Sequence, residues 1–438
     1  MQTLEPYIQH LETLTSELGL VECFDSKRHA VESALNGELS KTLRKVVKLD
    51  ILQQYGAFFT GEVMADALLD DVESHEIPHM GVYDAACGGG NLLLAYARRL
   101  EIKPTLRKTI SYWETIIRGT DIHAELARAT RARLVLLAAI KGMDKYGTRF
   151  LRDGVVNVQE SFLSITQGNS LTTNWPGAAL IILNPPFNLA PVSKDCRWAT
   201  GRASQAALFM EKCLQEAAPR TLIKAILPDV LRSGSRYRKW RMLIEAYADV
   251  KYLKVLGQFD PQTNVEVFAI TMEAAKPGNR PSFNWVTAPE VSGATIGDTC
   301  TVQVGRVVPH RDAEEGPEYP YFDVNNLPKW QTVEPSESRR QFAGSTFQPP
   351  FVLIRRNSRA TDAFRATATL VKPNPAAPNE RIAVENHLIV VRPASGQLPD
   401  NEKLLSNFRD SRTNDWLNQH IRCRHLTVSA IQSIPWWT

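Results

Sequence analysis

Between about Val82 and Leu256 the chain alternates short apolar runs with longer amphipathic ones, which restricts this stretch to parallel strands joined by crossover helices. Gly81-Val82-Tyr83 leads into a glycine cluster, and Leu92 to Leu100 then reads as helix. Thr115 to Gly119 is a second strand candidate, and His123 to Lys141 a long helix with Leu126, Ala129 and Leu134 on one side. Ala179 to Leu183 is nearly all apolar, which predicts a strand buried on both faces. Ala203 to Ala217 reads as helix, with strands at Leu222 to Leu227 and Lys251 to Leu256. The expected class is α/β.

The flanks differ. Leu4, Ile8, Leu11 and Leu14, then Leu39, Leu43, Val46 and Val47, recur at helical spacing, so residues 1–50 form an expected helical N-terminal segment. After about Ala275 prolines, threonines and short strand-like runs such as Phe351 to Ile354 and Leu388 to Val391 take over. A boundary falls between about 275 and 310, and a chain of 438 residues exceeds one ordinary core. The proline-rich run Val371 to Arg381 reads as an exposed loop.

Composition narrows the class further. With 43% hydrophobic and 22% charged residues the chain belongs with globular proteins, not disordered or fibrous ones. No apolar run reaches the roughly 18 residues that span a bilayer. The N-terminus carries Glu5 and Glu12 in place of a basic, apolar leader, so the expected setting is cytoplasmic, with no membrane partner. Six scattered cysteines form no CxxC pair, so reduced thiols and no metal are expected. A net charge of +4 neither demands nor excludes a nucleic-acid partner.

Three motifs carry chemistry. Asp84-Ala85-Ala86-Cys87-Gly88-Gly89-Gly90-Asn91 lies between a strand and a helix, where glycines let the backbone turn and approach a ligand. Asp121 follows the second strand, where an acid accepts hydrogen bonds from both hydroxyls of a ribose or caps the next helix. Asn184-Pro185-Pro186-Phe187 ends the buried strand, at the edge where open α/β sheets bind ligands. The prolines stiffen a turn that presents carbonyls. The Asn184 side-chain oxygen and the Pro185 carbonyl can together accept both N–H groups of an exocyclic amine, aiming its nitrogen at a methyl donor. Phe187 offers a face for a base swung out of its duplex. A plain Asn-Pro turn is the bland alternative.

In this order the motifs resemble the adenine-N6 DNA methyltransferases, within them the modification subunits of type I restriction systems and related single-chain enzymes. The resemblance covers roughly residues 50–275. It implies a Rossmann-like methyltransferase sheet with an N-terminal helical cap and a C-terminal mixed α+β recognition domain. The expected bounds are 1–50, 51–290 for the S-adenosylmethionine-dependent domain, and 291–438 for target recognition. Gly56-Ala57-Phe58-Phe59-Thr60 resembles the element that touches the cofactor's methionine end, with Gly61 where the family has proline, implicating Phe58 and Thr60. Asp84, Ala86, Gly88 and Gly90 match the cofactor loop, with Ala85 and Ala86 in place of a usual proline and its neighbour. The resemblance further implies that Asp121 holds the ribose, that Ile122 packs on the cofactor's adenine, and that Asn169, ahead of Glu160, bonds the adenine amino group. Leu227 to Gly234, then Tyr237, Trp240 and Arg241, and later Phe259, match family stretches with structural or substrate-facing roles.

The C-terminal region holds Arg355, Arg356, Arg359 and Arg365 with Asn357, Ser358 and Phe364 among them, a set suited to phosphate contacts and guanine edges, or to a solvated face. The chain's end, with Arg422, Arg424 and His425, resembles the close of such recognition domains, and Trp436 and Trp437 are expected to pack. The expected function is methylation of adenine N6 in double-stranded DNA, as the modification component of a restriction-modification or related defence system. A separate restriction or specificity subunit is a candidate partner, since residues 1–50 are too short and helical for a nuclease. RNA or protein-glutamine methylation, and a catalytically silent DNA-binding module, are the alternatives.

Overall fold

The computed structural model describes residues 4–17, 24–37, 39, 41–42, 45, 61–70, 72, 81–152, 156–260, 263–286, 293–358, 362–421 and 425–437. Two compact units partition the chain. The first comprises Met1–Leu231, Arg238–Phe259 and Val267–Phe283, and the second Arg232–Tyr237, Asp260–Glu266 and Asn284–Thr438.

The first unit opens with helices α1 (Glu5–Glu17), α2 (Phe24–Leu35) and α3 (Glu62–Leu69). Leu4, Ile8, Leu11 and Leu14 are buried, the stripe expected from their spacing, and Tyr7 joins them. The α/β alternation follows: β1 (Val82–Asp84), α4 (Asn91–Ala97), α5 (Leu106–Glu114), β2 (Ile117–Asp121) and α6 (Ala124–Tyr146). It continues through β3 (Ile165–Gln167), β4 (Leu180–Leu183), the hairpin β5 (Leu189–Pro191) and β6 (Arg202–Ser204), and α7 (Gln205–Glu216). The last elements are β7 (Leu222–Pro228), α8 (Asp229–Ser233), α9 (Arg238–Tyr247), β8 (Ala248–Asp260) and β9 (Thr263–Ala274). Helices α1 and α2 both pack against α6.

The seven strands lie in the order β3-β2-β1-β4-β7-β9-β8. The pairings of β3 through β7 are parallel, and β9 runs antiparallel to β7. The chain winds outward from β1 through β2 to β3, then returns to place β4 on the other side of β1. That reversal is a topological switch point at the carboxyl ends of β1 and β4, the place where open α/β sheets take their ligands. All four residues of β4 are buried, as a strand covered on both faces requires.

Strand β2 starts two residues later than its apolar pattern suggests. The amides of Thr115 and Ile116 donate to Tyr112 and Trp113 to close α5, so the strand runs on to Asp121. Strand β3 buries only Ile165 of its three residues and so has no apolar run to betray it.

The second unit contains β10 (Cys300–Val304), β11 (Glu318–Phe322), β12 (Thr332–Val333), β13 (Arg339–Gln341), β14 (Phe351–Arg355), β15 (Ala368–Val371), β16 (Ala383–Val384) and β17 (Leu388–Pro393). A five-stranded sheet runs β10-β17-β14-β15-β12 and a three-stranded one β13-β11-β16. Val352, Ile354, Ile389 and Val391 face one core with Leu404, Phe408, Trp416 and Leu417. Phe351, Leu353, Leu388 and Val390 face another with Phe322, Ile382 and Val384. The helices α10 (Ile296–Thr299), α11 (Leu398–Arg409), α12 (Ser411–His420) and α13 (Val428–Gln432) make this unit mixed α+β. No helix among the described residues is long and apolar enough to cross a membrane.

Candidate active site

The glycine loop after β1 is built by its own backbone and locked from below. Asp84 is buried and its Oδ1 accepts the amide of Ala86 at 3.0 Å, closing the first turn. Gly90 donates to the Cys87 carbonyl at 2.8 Å and caps α4 with φ of 84°. A Cβ there would stand 2.7 Å from Thr130 Cγ2, so both the backbone and the packing demand glycine. Thr130 of α6 in turn donates its hydroxyl to the Gly88 carbonyl at 2.8 Å.

Asp121 joins this loop to the end of β2. Its Oδ2 accepts the Gly88 amide at 2.9 Å and its Oδ1 the His123 amide at 2.9 Å, so it closes the turn that leads into α6 and braces the loop together. Each carboxylate oxygen has a second lone pair, which suits a donor pair such as a ribose diol. Ile122 beside it is 58% exposed, an apolar surface at the rim that a flat ring would cover. Asn169 lies two residues beyond β3, on the same sheet edge, and Gly168 donates to the Asp121 carbonyl at 2.8 Å. The Ser170 hydroxyl donates to the Ala85 carbonyl at 2.7 Å, tying this segment to the glycine loop. The turn Val158–Glu160 precedes β3, so Glu160 lies at the other end of that strand. A glycine turn, a ribose-type acid and an exposed apolar neighbour on one edge fit a nucleoside cofactor of the expected kind. Phe58 and Thr60 lie outside the described residues.

The two acids share an electrostatic character. Burial pushes the Asp84 carboxyl up to about 8, opposed by the Ala86 amide and reinforced by Asp121. Burial likewise raises Asp121, opposed by the amides of His123 and Gly88. Burial is also the main cause that raises the Cys87 thiol, which marks it as packing rather than a nucleophile.

Asn184-Pro185-Pro186-Phe187 leaves β4 at the same edge. Tyr83 pairs with Ile181, so the Asp84 loop and the Asn184 turn emerge side by side at the switch point. Pro185 is buried, while Asn184, Pro186 and Phe187 are half-buried. The Phe187 ring meets Phe259 of β8 edge to face, with centroids 5.5 Å apart at 77°. Ser204 donates its hydroxyl to the Phe187 carbonyl at 3.2 Å, and the Gln205 amide donates to Asn188 at 2.8 Å. The β5–β6 hairpin therefore clamps the turn from its far side. Further on, Trp240 is fully buried and donates to Ala207, and Arg241 donates to Leu231, so both serve the scaffold.

The arginines of the second unit separate into different roles. Arg365 is only 2% exposed and donates to the carbonyls of Leu417, at 2.8 Å, and Ile421. It ties down the end of α12, where helix carbonyls need donors and the dipole favours a cation. The expectation that Arg365 contacts nucleic acid is corrected accordingly. Arg355 donates to Leu327 at 2.6 Å and lines a cleft of about 650 Å³ with Lys329, Asn357, Ser358 and His387. Arg356 donates to Asn386 at 2.8 Å and lies 2.7 Å from His425 Nε2, whose ring also contacts Asn357. Burial, then the charges of Arg356 and His387, lower the His425 pKa. Arg359, Arg422 and Arg424 lie outside the described residues. Trp437 packs, with Nε1 donating to Thr413 and its ring under Arg412. Lys329 and His387 carry no pattern in the sequence; only the fold brings them to Arg355. Among the described residues no group of three His, Cys, Asp or Glu side chains could hold a metal.

No family model and no curated protein matches this sequence. Solved structures do. The type IIL restriction-modification enzyme MmeI, solved in complex with DNA, is 12% identical, with a TM-score of 0.58 over 89% of this chain and 69% of that one. The type IIG restriction endonuclease BpuSI is 13% identical, with a TM-score of 0.41 over 87% of this chain, which spans 59% of that enzyme's length. The methyltransferase subunit of a type I restriction-modification system from Streptococcus thermophilus is 16% identical, with a TM-score of 0.35 over 56% of this chain and 50% of that one. At these identities the likeness concerns the fold. The first unit, with its central mostly parallel sheet and reversed β9, has a Rossmann-like fold.

Proposed function

We propose that this protein is an S-adenosylmethionine-dependent DNA methyltransferase acting on the N6 amino group of adenine within a restriction-modification system. One observation carries the reading: Asn184-Pro185-Pro186-Phe187 leaves the sheet beside the glycine loop, at the switch point between β1 and β4. The likeness to the restriction-modification enzyme MmeI supports the biological setting.

When bound, S-adenosylmethionine supplies an electrophilic sulfonium methyl. The acid at the end of β2 and the turn of Gly88 to Gly90 would hold its nucleoside and amino-acid parts, and Ile122 would cover its adenine. The Asn184 side-chain oxygen and the Pro185 carbonyl accept the two amino protons of the target base, leaving the nitrogen lone pair directed out of the base plane. Phe187, steadied by Phe259, stacks on the extruded ring. Fixed positioning of the amine supplies most of the rate. Arg355 and the cleft beside it, with Arg356, would contact the duplex.

The test is methyl transfer from labelled cofactor to DNA, RNA and protein in parallel. Label in adenine N6 of DNA alone supports the reading. Label in RNA or in protein glutamine replaces it, and cofactor binding without transfer to any of the three favours a silent DNA-binding module.

A further inference from the structure

A buried arginine that no motif includes links the N-terminal helices to the glycine loop. Arg133 sits in the middle of α6 and is 1% exposed. One side of its guanidinium faces α2: Nε donates to the Ala34 carbonyl at 2.9 Å and Nη2 to the Leu35 carbonyl at 3.1 Å. These are carbonyls of the last helical turn, which lack partners within the helix and attract a cation. The other side faces the loop: Nη1 donates to the Gly89 carbonyl and to Asn91 Oδ1, the latter at 2.7 Å. Four of the five guanidinium hydrogens are thereby used. None of these four acceptors is a carboxylate; the charges of Arg98 and Glu62 act on it only through space. Burial lowers its pKa to about 10, leaving it charged at neutral pH.

Nothing about helix packing alone requires this arrangement. Arg128 joins α6 to Glu5 and Glu12 of α1, and Arg28 joins α2 to Asp144, both through ion pairs on more exposed ground. Those contacts would hold the helices without a buried charge. What Arg133 adds is a bond from the docked α2 to the glycine turn, made by a planar fork that lysine cannot reproduce.

We propose that Arg133 is a positioning residue through which α2 sets the conformation of the Gly88–Asn91 loop, so that cofactor affinity depends on the docking of α2. The inference rests on the reading of that loop as the S-adenosylmethionine site.

The experiment measures S-adenosylmethionine binding by calorimetry, and amide hydrogen exchange of residues 88–91, in the full-length protein and in R133M, R133K and R128A. R133M is expected to weaken binding at least about tenfold and to speed exchange in the loop, because two loop acceptors lose their donor. R133K recovers part of the affinity, and R128A, which leaves the loop bonds intact, binds within about twofold of wild type. If R133M does not fold, N91A, which removes one loop acceptor, carries the same test with a smaller loss. Equal affinity and loop exchange in wild type, R133K and whichever of R133M or N91A folds overturns the inference alone. A wild-type protein that binds no S-adenosylmethionine overturns both the inference and the reading of the loop.

Discussion

Asn184 and Asp121 divide the proposed chemistry, and each can be tested without the other. Asn184→Ala removes an acceptor for the amine and leaves the glycine loop untouched. Methylation should fall by about 10²-fold or more, with cofactor affinity within about twofold, as steady-state rates and calorimetry would report. Asp121 can accept hydroxyl donors on both oxygens only when ionised, since protonation turns one oxygen into a donor, and burial raises its pKa above the usual 3.8. The contribution to cofactor affinity proposed for it would therefore be present above the raised pKa and lost as the pH falls through it. A titration of affinity against pH should drop at a pH above 3.8, and D121N should flatten the curve. Arg365 is predicted to matter for stability. Removing it orphans helix carbonyls in a buried setting, so R365A should lower the stability of the second unit by about 3 kcal/mol in chemical denaturation.

At the scale of elements, the strands and helices around the site were legible because they are short, apolar and punctuated. Ala179 to Leu183 could only be a buried strand, and the Gly88–Gly90 cluster could only be a turn. Strand β3 was not legible, since its three residues bury one apolar side chain and its position comes from pairing with β2. Helices α11 and α12 hid inside a region that reads as strands. Asn401, Asn407 and Thr413 occupy buried helix positions that an apolar count misses. Arg133 was invisible for the opposite reason: in sequence it is one more charge on a helix. The glycine loop yields a pH prediction of its own. The Asp84 carboxyl sits near 8 in the fold against 3.8 when exposed, so the folded state binds the proton more tightly and stability declines as pH rises from about 4 to about 8. D84N keeps an acceptor for Ala86 and removes that decline. The Tm difference in its favour should widen across that window, in melts followed by circular dichroism.

At the scale of the molecule, composition was nearly silent, since a net charge of +4 spread over 438 residues marks no partner. The fold was more informative: it drew Asp84, Asp121, Asn169 and Asn184 to one edge of one sheet, and gathered Lys329, Arg355 and His387 about one cleft in the second unit. It also withdrew Arg365 from the surface, a separation that sequence spacing cannot make. If the cleft arginine meets a phosphate, R355A should reduce the slope of log affinity for DNA against log salt by about one, and weaken binding on all sequences alike. If it reads a base, the loss falls on one position of the recognised site instead. The central claim is methyl transfer at Asn184-Pro185-Pro186-Phe187, and the most direct measurement is sequencing, with detection of modified bases, of plasmid DNA from cells expressing this chain and, separately, its N184A variant. Adenine N6-methylation at a fixed sequence with the wild type, and a sharply reduced modified fraction at that sequence with N184A, is the predicted result; identical methylation patterns from both chains would contradict it.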